Sequence, residues 1–109
     1  MVKVKAKWRD DWSVWIYGMW IRPGVVRDDD GLDIDVMERT VCVDTGLRCN
    51  GQAVYEHDWL DVYGNGEHHK FLVAQAETEY RAYEDEETSY NLTNVVMSDT
   101  CKIVGNLYD

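Results

Sequence analysis

The chain has 109 residues, with 21 Asp and Glu against 11 Lys and Arg, for a formal net charge of −10. A length suited to one domain, with 45% hydrophobic residues, excludes a disordered chain and provides for one core over residues 1–109. Such acidity disfavours phosphate backbones and anionic membranes, where binding draws on Lys and Arg to displace counterions, and favours basic partner surfaces.

Val2, Val4, Ala6 and Trp8 alternate with Lys3, Lys5 and Lys7, which predicts a strand with one buried and one wet face. Asp10 to Ser13 reads as a polar turn. Val14 to Ile21, apolar on both faces, then reads as the returning strand of an antiparallel hairpin. Gly18 in its middle marks a bulge or a close backbone approach. Arg22-Pro23-Gly24 punctuates the chain, and Asp28-Asp29-Asp30-Gly31 is an acidic turn. Leu32 to Val43 holds two short strand candidates around Met37-Glu38-Arg39, where a brief helical turn fits.

Thr45-Gly46-Leu47 and Asn50-Gly51 are turn signals, and Asn-Gly is a strong hairpin cue because both residues tolerate positive φ. Trp59 to Tyr63 is a strand, broken by Gly64-Asn65-Gly66. Lys70 to Ala76 begins the next, and Glu79 to Tyr83 pairs with it or continues it. Glu84 to Glu87 is a charged turn. Tyr90 to Met97 is a strand or a short helix anchored by Leu92, Val95 and Val96. Cys101 to Tyr108 closes as a strand. No long amphipathic helical pattern occurs. Many short strands between turns predict a mainly β, small antiparallel barrel-like domain with room for one short helix.

Three stretches resemble a known family. Residues 2–8 (VKVKAKW) with 15–21 (WIYGMWI) resemble the opening strand pair of YopX-like proteins. Thr45 to Asp58, a Thr-Gly-Leu turn leading through Asn-Gly to Tyr55-Glu56-His57-Asp58, resembles their central signature. Ile103 to Tyr108 resembles their closing motif. His57 stands where that family has glycine, and histidine tolerates positive φ less well. The resemblance implies a β-rich fold and an accessory role in bacteriophages, prophages or mobile elements, hence the cytoplasm of a bacterial host.

The chemistry-bearing residues are sparse in pattern. Cys42, Cys49 and Cys101 are odd in number and far apart, which argues against a disulfide framework. Cys42, Cys49, His57, His68 and His69 lack the close pairs of a zinc site, and His68 and His69 point to opposite faces of a strand. Asp58 reads as a turn residue accepting backbone hydrogen bonds at a strand's entry. No nucleophile elbow, phosphate-binding loop or dinucleotide fingerprint occurs, so neither an enzyme, a metal nor a cofactor is expected. No signal peptide precedes the first strand pattern, and the longest apolar stretch is too short to span a bilayer.

Two carboxylate clusters stand out: Asp28, Asp29 and Asp30 with Asp33 and Asp35, and the six acidic side chains Glu77, Glu79, Glu84, Asp85, Glu86 and Glu87. Held on a rigid scaffold, they would contact a host protein with a basic surface, such as a nucleic-acid enzyme or a CRISPR effector, and inhibit it. Trp12, Trp15 and Trp20 are the candidate aromatic anchors. A second reading is a small barrel binding single-stranded nucleic acid through Lys3, Lys5 and Lys7, against which the net acidity weighs. A third is a homo-oligomer joined through Val14–Ile21.

Overall fold

A computed structural model describes residues 2–109. The strands are β1 (Lys3–Trp8), β2 (Asp11–Arg22), β3 (Val25–Asp28), β4 (Asp33–Asp35), β5 (Cys42–Cys49) and β6 (Gln52–Tyr55), then β7 (Asp58–Gly64), β8 (Glu67–Ala76), β9 (Glu79–Tyr83), β10 (Ser89–Asn91) and β11 (Lys102–Asn106). A 3-10 turn covers Glu38–Thr40, and one short helix, α1, covers Leu92–Val96. Strand order is β4-β3-β2-β1-β5-β6 in one sheet and β10-β9-β8-β7-β11 in the other. The mainly β, antiparallel class expected from the sequence is therefore what the chain adopts. Contacts divide it into two units, one ending at Asp44 and one running from Thr45 to Asp109.

In the first unit, β1 and β2 form the long hairpin, with Lys7 opposite Trp15 and Lys5 opposite Tyr17. After β4 the chain comes back to β1. Val36 bridges Trp8, Met37 N–H donates to the Lys7 carbonyl at 2.9 Å, and Arg9 N–H donates to the Asp35 carbonyl at 3.1 Å. The first four strands thus curl towards closure around Val4, Ala6, Val26 and Val36, with Ile16 and Trp20 packed against them. Glu38 fastens this curl. Its carboxylate accepts the Gly24 N–H at 2.7 Å and the Trp20 indole N–H at 3.2 Å. At Gly18 the backbones of β2 and β3 meet so closely that a Cβ would lie 1.9 Å from the Arg27 carbonyl oxygen. Of the two expectations for that glycine, close approach is the one realised.

One expectation for β1 fails. Its lysine face is wet only at Lys3: Lys5 and Lys7 are each only 7% exposed. Their ammonium groups lie 4.4 Å and 4.5 Å from the centroid of the Trp15 ring. Long aliphatic stems can be buried while the charge rests on an aromatic face, which an alternation pattern does not reveal.

In the second unit, Leu60, Phe71, Val73 and Ala82 line one face of the five-stranded sheet and pack with Leu92, Val95 and Val96 of α1. Helix and strand both occur in the stretch predicted as either. β10 ends at Asn91, whose side chain accepts the Thr93 N–H at 2.9 Å and caps α1. Thr45-Gly46-Leu47 is not a turn but lies within β5. Gly46 takes φ 81°, and Thr45 Oγ1 donates to the Val54 carbonyl at 2.7 Å. The bend is absorbed inside a strand held by its hairpin partner. Among the described residues, no helix is long and apolar enough to cross a membrane.

Candidate functional site

The carboxylates singled out in the sequence mostly build turns. Asp28 accepts the N–H groups of Asp30 and Leu32 at 3.0 Å and 2.9 Å, shaping the β3–β4 turn on which Asp29 and Asp30 are exposed. Beside it, Asp33 is bound by the Arg27 guanidinium at 2.7 Å, which holds its carboxyl below the usual carboxylate range. Glu77 sits in the β8–β9 turn at φ 55°, and Glu79 is paired with Arg81 at 2.8 Å. Asp85 accepts the N–H groups of Glu87 and Thr88 at 2.8 Å and 2.7 Å, and these bonds lower its pKa.

The second cluster is divided. Glu77 and Glu79 lie at one end of β9 and Glu84 to Glu87 at the other, separated by a strand of roughly 16 Å at about 3.3 Å per residue. The β9–β10 turn keeps three carboxylates unspent. Among the described residues, no hydrogen bond or ion pair engages the carboxylates of Glu84, Glu86 and Glu87, and all three are exposed.

The expected tryptophan anchors behave differently from one another. Trp15 carries the two lysine ammonium groups on its ring. Trp20 packs against the first core and donates to Glu38. Trp12 is 57% exposed, with the Arg39 guanidinium 5.4 Å from its ring centroid. Of Val14–Ile21, Ile16 and Trp20 also pack against that core, so the strand does not offer two free apolar faces.

Beside the unspent turn lies a feature that the sequence reading missed. Trp59 pairs with Leu72 across β7 and β8, and Leu72 pairs with Tyr83 across β8 and β9. Directly opposed residues share a face, so these three side chains form a row across the sheet, on the side away from Leu60 and Phe71. With Ala74 they line an open hollow of about 520 Å³ whose rim includes Glu84, Asp85 and Glu86. Lys70 Nζ lies 4.9 Å from the Trp59 ring centroid. The sequence signal was a Trp and a Tyr in the two strands that flank β8; what it lacked was the register that aligns them.

The remaining titratable groups have structural surroundings. Asp58 is 1% exposed and accepts the Tyr55 N–H at 2.8 Å, the turn role expected of it. His68 contacts Asp61 at 2.9 Å, while His69 lies near Glu67 at 3.9 Å. Cys49 and Cys101 are buried in the second core, and burial, followed by Cys49 itself, pushes the Cys101 thiol up to about 12. Among the described residues, no three His, Cys, Asp or Glu side chains converge as metal ligands. No family model, curated protein or solved structure matches the chain.

Proposed function

We propose that the chain is a binding protein whose second unit receives a basic, partly apolar segment of a partner protein. The observation that carries this reading is the row Trp59–Leu72–Tyr83 beside the unspent carboxylates of the β9–β10 turn. The two parts divide the work. Trp59 already holds one cation, Lys70, so the ring adds little further attraction for charge. Glu84 and Glu86 supply the long-range attraction and the orientation of encounter. Trp59, Leu72, Ala74 and Tyr83 supply apolar contact, the kind of anchor that dominates binding energy once water is excluded.

The net charge of −10 supports a basic partner, because the whole field adds to that of the turn. The resemblance of Thr45–Asp58 and of the terminal strands to YopX-like proteins favours a bacterial nucleic-acid-handling enzyme, a CRISPR effector among them, as that partner, in the host cytoplasm. Occupying a cationic groove needed for nucleic acid would make the chain an inhibitor. The burial of Lys5 and Lys7 removes most of the stripe on which direct single-strand binding would depend.

Fluorescence anisotropy of a labelled peptide of alternating arginine and leucine tests the site. The wild-type protein binds it, and affinity falls as salt rises from about 50 to about 300 mM. Glu84→Lys with Glu86→Lys weakens binding by about tenfold or more, whereas Asp29→Lys with Asp30→Lys changes it by about threefold or less. Equal losses in the two variants would reduce the interaction to net charge and dismiss the site.

A further inference from the structure

The second unit carries another hollow, on the face of its sheet opposite the row Trp59–Leu72–Tyr83. Val62 stands directly opposite His69, Leu60 opposite Phe71, and Tyr90 opposite Ala82. Opposed residues share a face, so Val62, His69, Phe71 and Tyr90 lie on the side that packs against α1. There they meet the flank of α1 and the turn after it, where Asn91, Asn94 and Ser98 follow one another three and four residues apart. Together these residues line an open hollow of about 480 Å³, within the range of small-molecule pockets.

The walls are apolar and aromatic. Val62, Phe71 and Val95 line them with Tyr90, whose ring stands edge-on to that of Phe71 at a centroid distance of 5.7 Å. An edge-on contact leaves at least one face of the Tyr90 ring clear of Phe71, and Tyr90 is 45% exposed. The polar groups of the rim are of two kinds. Asn91 is spent on the Thr93 N–H at 2.9 Å, and Ser98 Oγ accepts the Thr100 N–H at 3.3 Å. The Asn94 amide and the Glu84 carboxylate are unspent: among the described residues no hydrogen bond or ion pair engages either.

An open aromatic face, an amide that both donates and accepts, and a carboxylate that only accepts select a planar ligand. A heteroaromatic ring stacks on tyrosine. An asparagine amide pairs with an amino group and the ring nitrogen beside it, and a carboxylate accepts from such an amino group. A hydrocarbon would use the walls alone. A phosphate on the ligand would meet Glu84 and the net charge of −10. We propose that this hollow binds an unphosphorylated amino-purine or amino-pyrimidine, its ring against Tyr90 and its exocyclic amine directed to Asn94 and Glu84. The site does not depend on peptide binding by the opposite face. Glu84, which follows β9, is the one residue bordering both hollows.

The test is a ¹⁵N–¹H chemical-shift titration of the whole chain with adenosine as the probe. Saturable shifts are expected at the amides of Val62, His69, Phe71, Tyr90 and Val95 and at the Asn94 side-chain amide, with a dissociation constant on the order of 1 mM or tighter. Purine riboside, which lacks the amine, binds about fivefold more weakly, as expected for the loss of a hydrogen bond. Asn94→Leu, an exposed helical position, weakens adenosine by about the same factor and purine riboside by less than about twofold. Adenosine monophosphate binds about threefold or more weakly than adenosine at low salt. Equal affinity for purine riboside, an unchanged affinity in the variant, a monophosphate that binds as well as the nucleoside, shifts centred on Trp59, Leu72 and Tyr83, or no saturable shift would each overturn the proposal.

Discussion

The Asp58 carboxylate accepts the side-chain amide of Asn106 at 2.9 Å, tying the entry of β7 to the last residue of β11 across 48 positions of sequence. Its other oxygen accepts the Tyr55 N–H at 2.8 Å, and the Asn106 amide also reaches the Glu56 carbonyl at 3.3 Å. Both residues are buried. Asp58→Ala strands two buried donors, and the second unit loses about 3 kcal/mol of stability. Urea unfolding monitored by tryptophan fluorescence measures it.

Gly18 answers to a different constraint. A Cβ there would lie 1.9 Å from the Arg27 carbonyl oxygen and 2.7 Å from its carbon, both backbone atoms of the paired strand. Relief requires β2 and β3 to part. Gly18→Ala costs about 3 kcal/mol. Gly64→Ala, where nothing lies within 4 Å, changes stability by less than about 0.5 kcal/mol. Comparable losses at the two sites would remove close approach as the reason for the glycine.

His57 takes φ 68°, with its ring 5.4 Å from that of Tyr108 in an edge-on arrangement. Left-handed backbone costs an L-residue about 1–2 kcal/mol, and a branched Cβ raises that cost. His57→Val therefore destabilises by about 2 kcal/mol. His57→Gly stays within about 1 kcal/mol of the wild type, because relief of the backbone offsets the lost ring contact. Thermal unfolding of the two variants side by side separates backbone strain from ring packing.

Asp85 gives the β9–β10 turn a pH dependence. Hydrogen bonds from Glu87 and Thr88 lower its pKa from the ordinary 3.8, so the folded turn favours the ionised form. The contribution is complete above the unfolded value and is lost as pH falls below 3.8 through the folded one. Asp85→Ala removes it. The stability difference between wild type and variant shrinks as pH is lowered through that window, which urea midpoints at a series of pH values record. A difference that stays constant on acidification would mean the carboxylate does not organise the turn.

The sequence was most legible where a local cause acts. The strand over Lys3–Trp8, the glycine at 18, the Asn50-Gly51 hairpin cue and the turn role of Asp58 each follow from local chemistry, and each has its counterpart in the structure. Thr45-Gly46-Leu47 was misread because pairing with β6 keeps a bent segment in a strand. Lys5 and Lys7 were misread because a charge pattern does not show what lies over it. The row Trp59–Leu72–Tyr83 was invisible for a third reason: it depends on the register of three strands, set by residues distributed from 58 to 83. Of the acidic residues, sequence alone did not separate those spent on turns and arginines from the few left over.

A chemical-shift map of the complex with the arginine–leucine peptide tests the binding site most directly. Perturbations are predicted at Trp59, Leu72, Ala74 and Tyr83 to Glu87, with the β3–β4 turn at Asp28 to Gly31 unmoved. Shifts distributed over every acidic turn, or confined to the first unit, would contradict it.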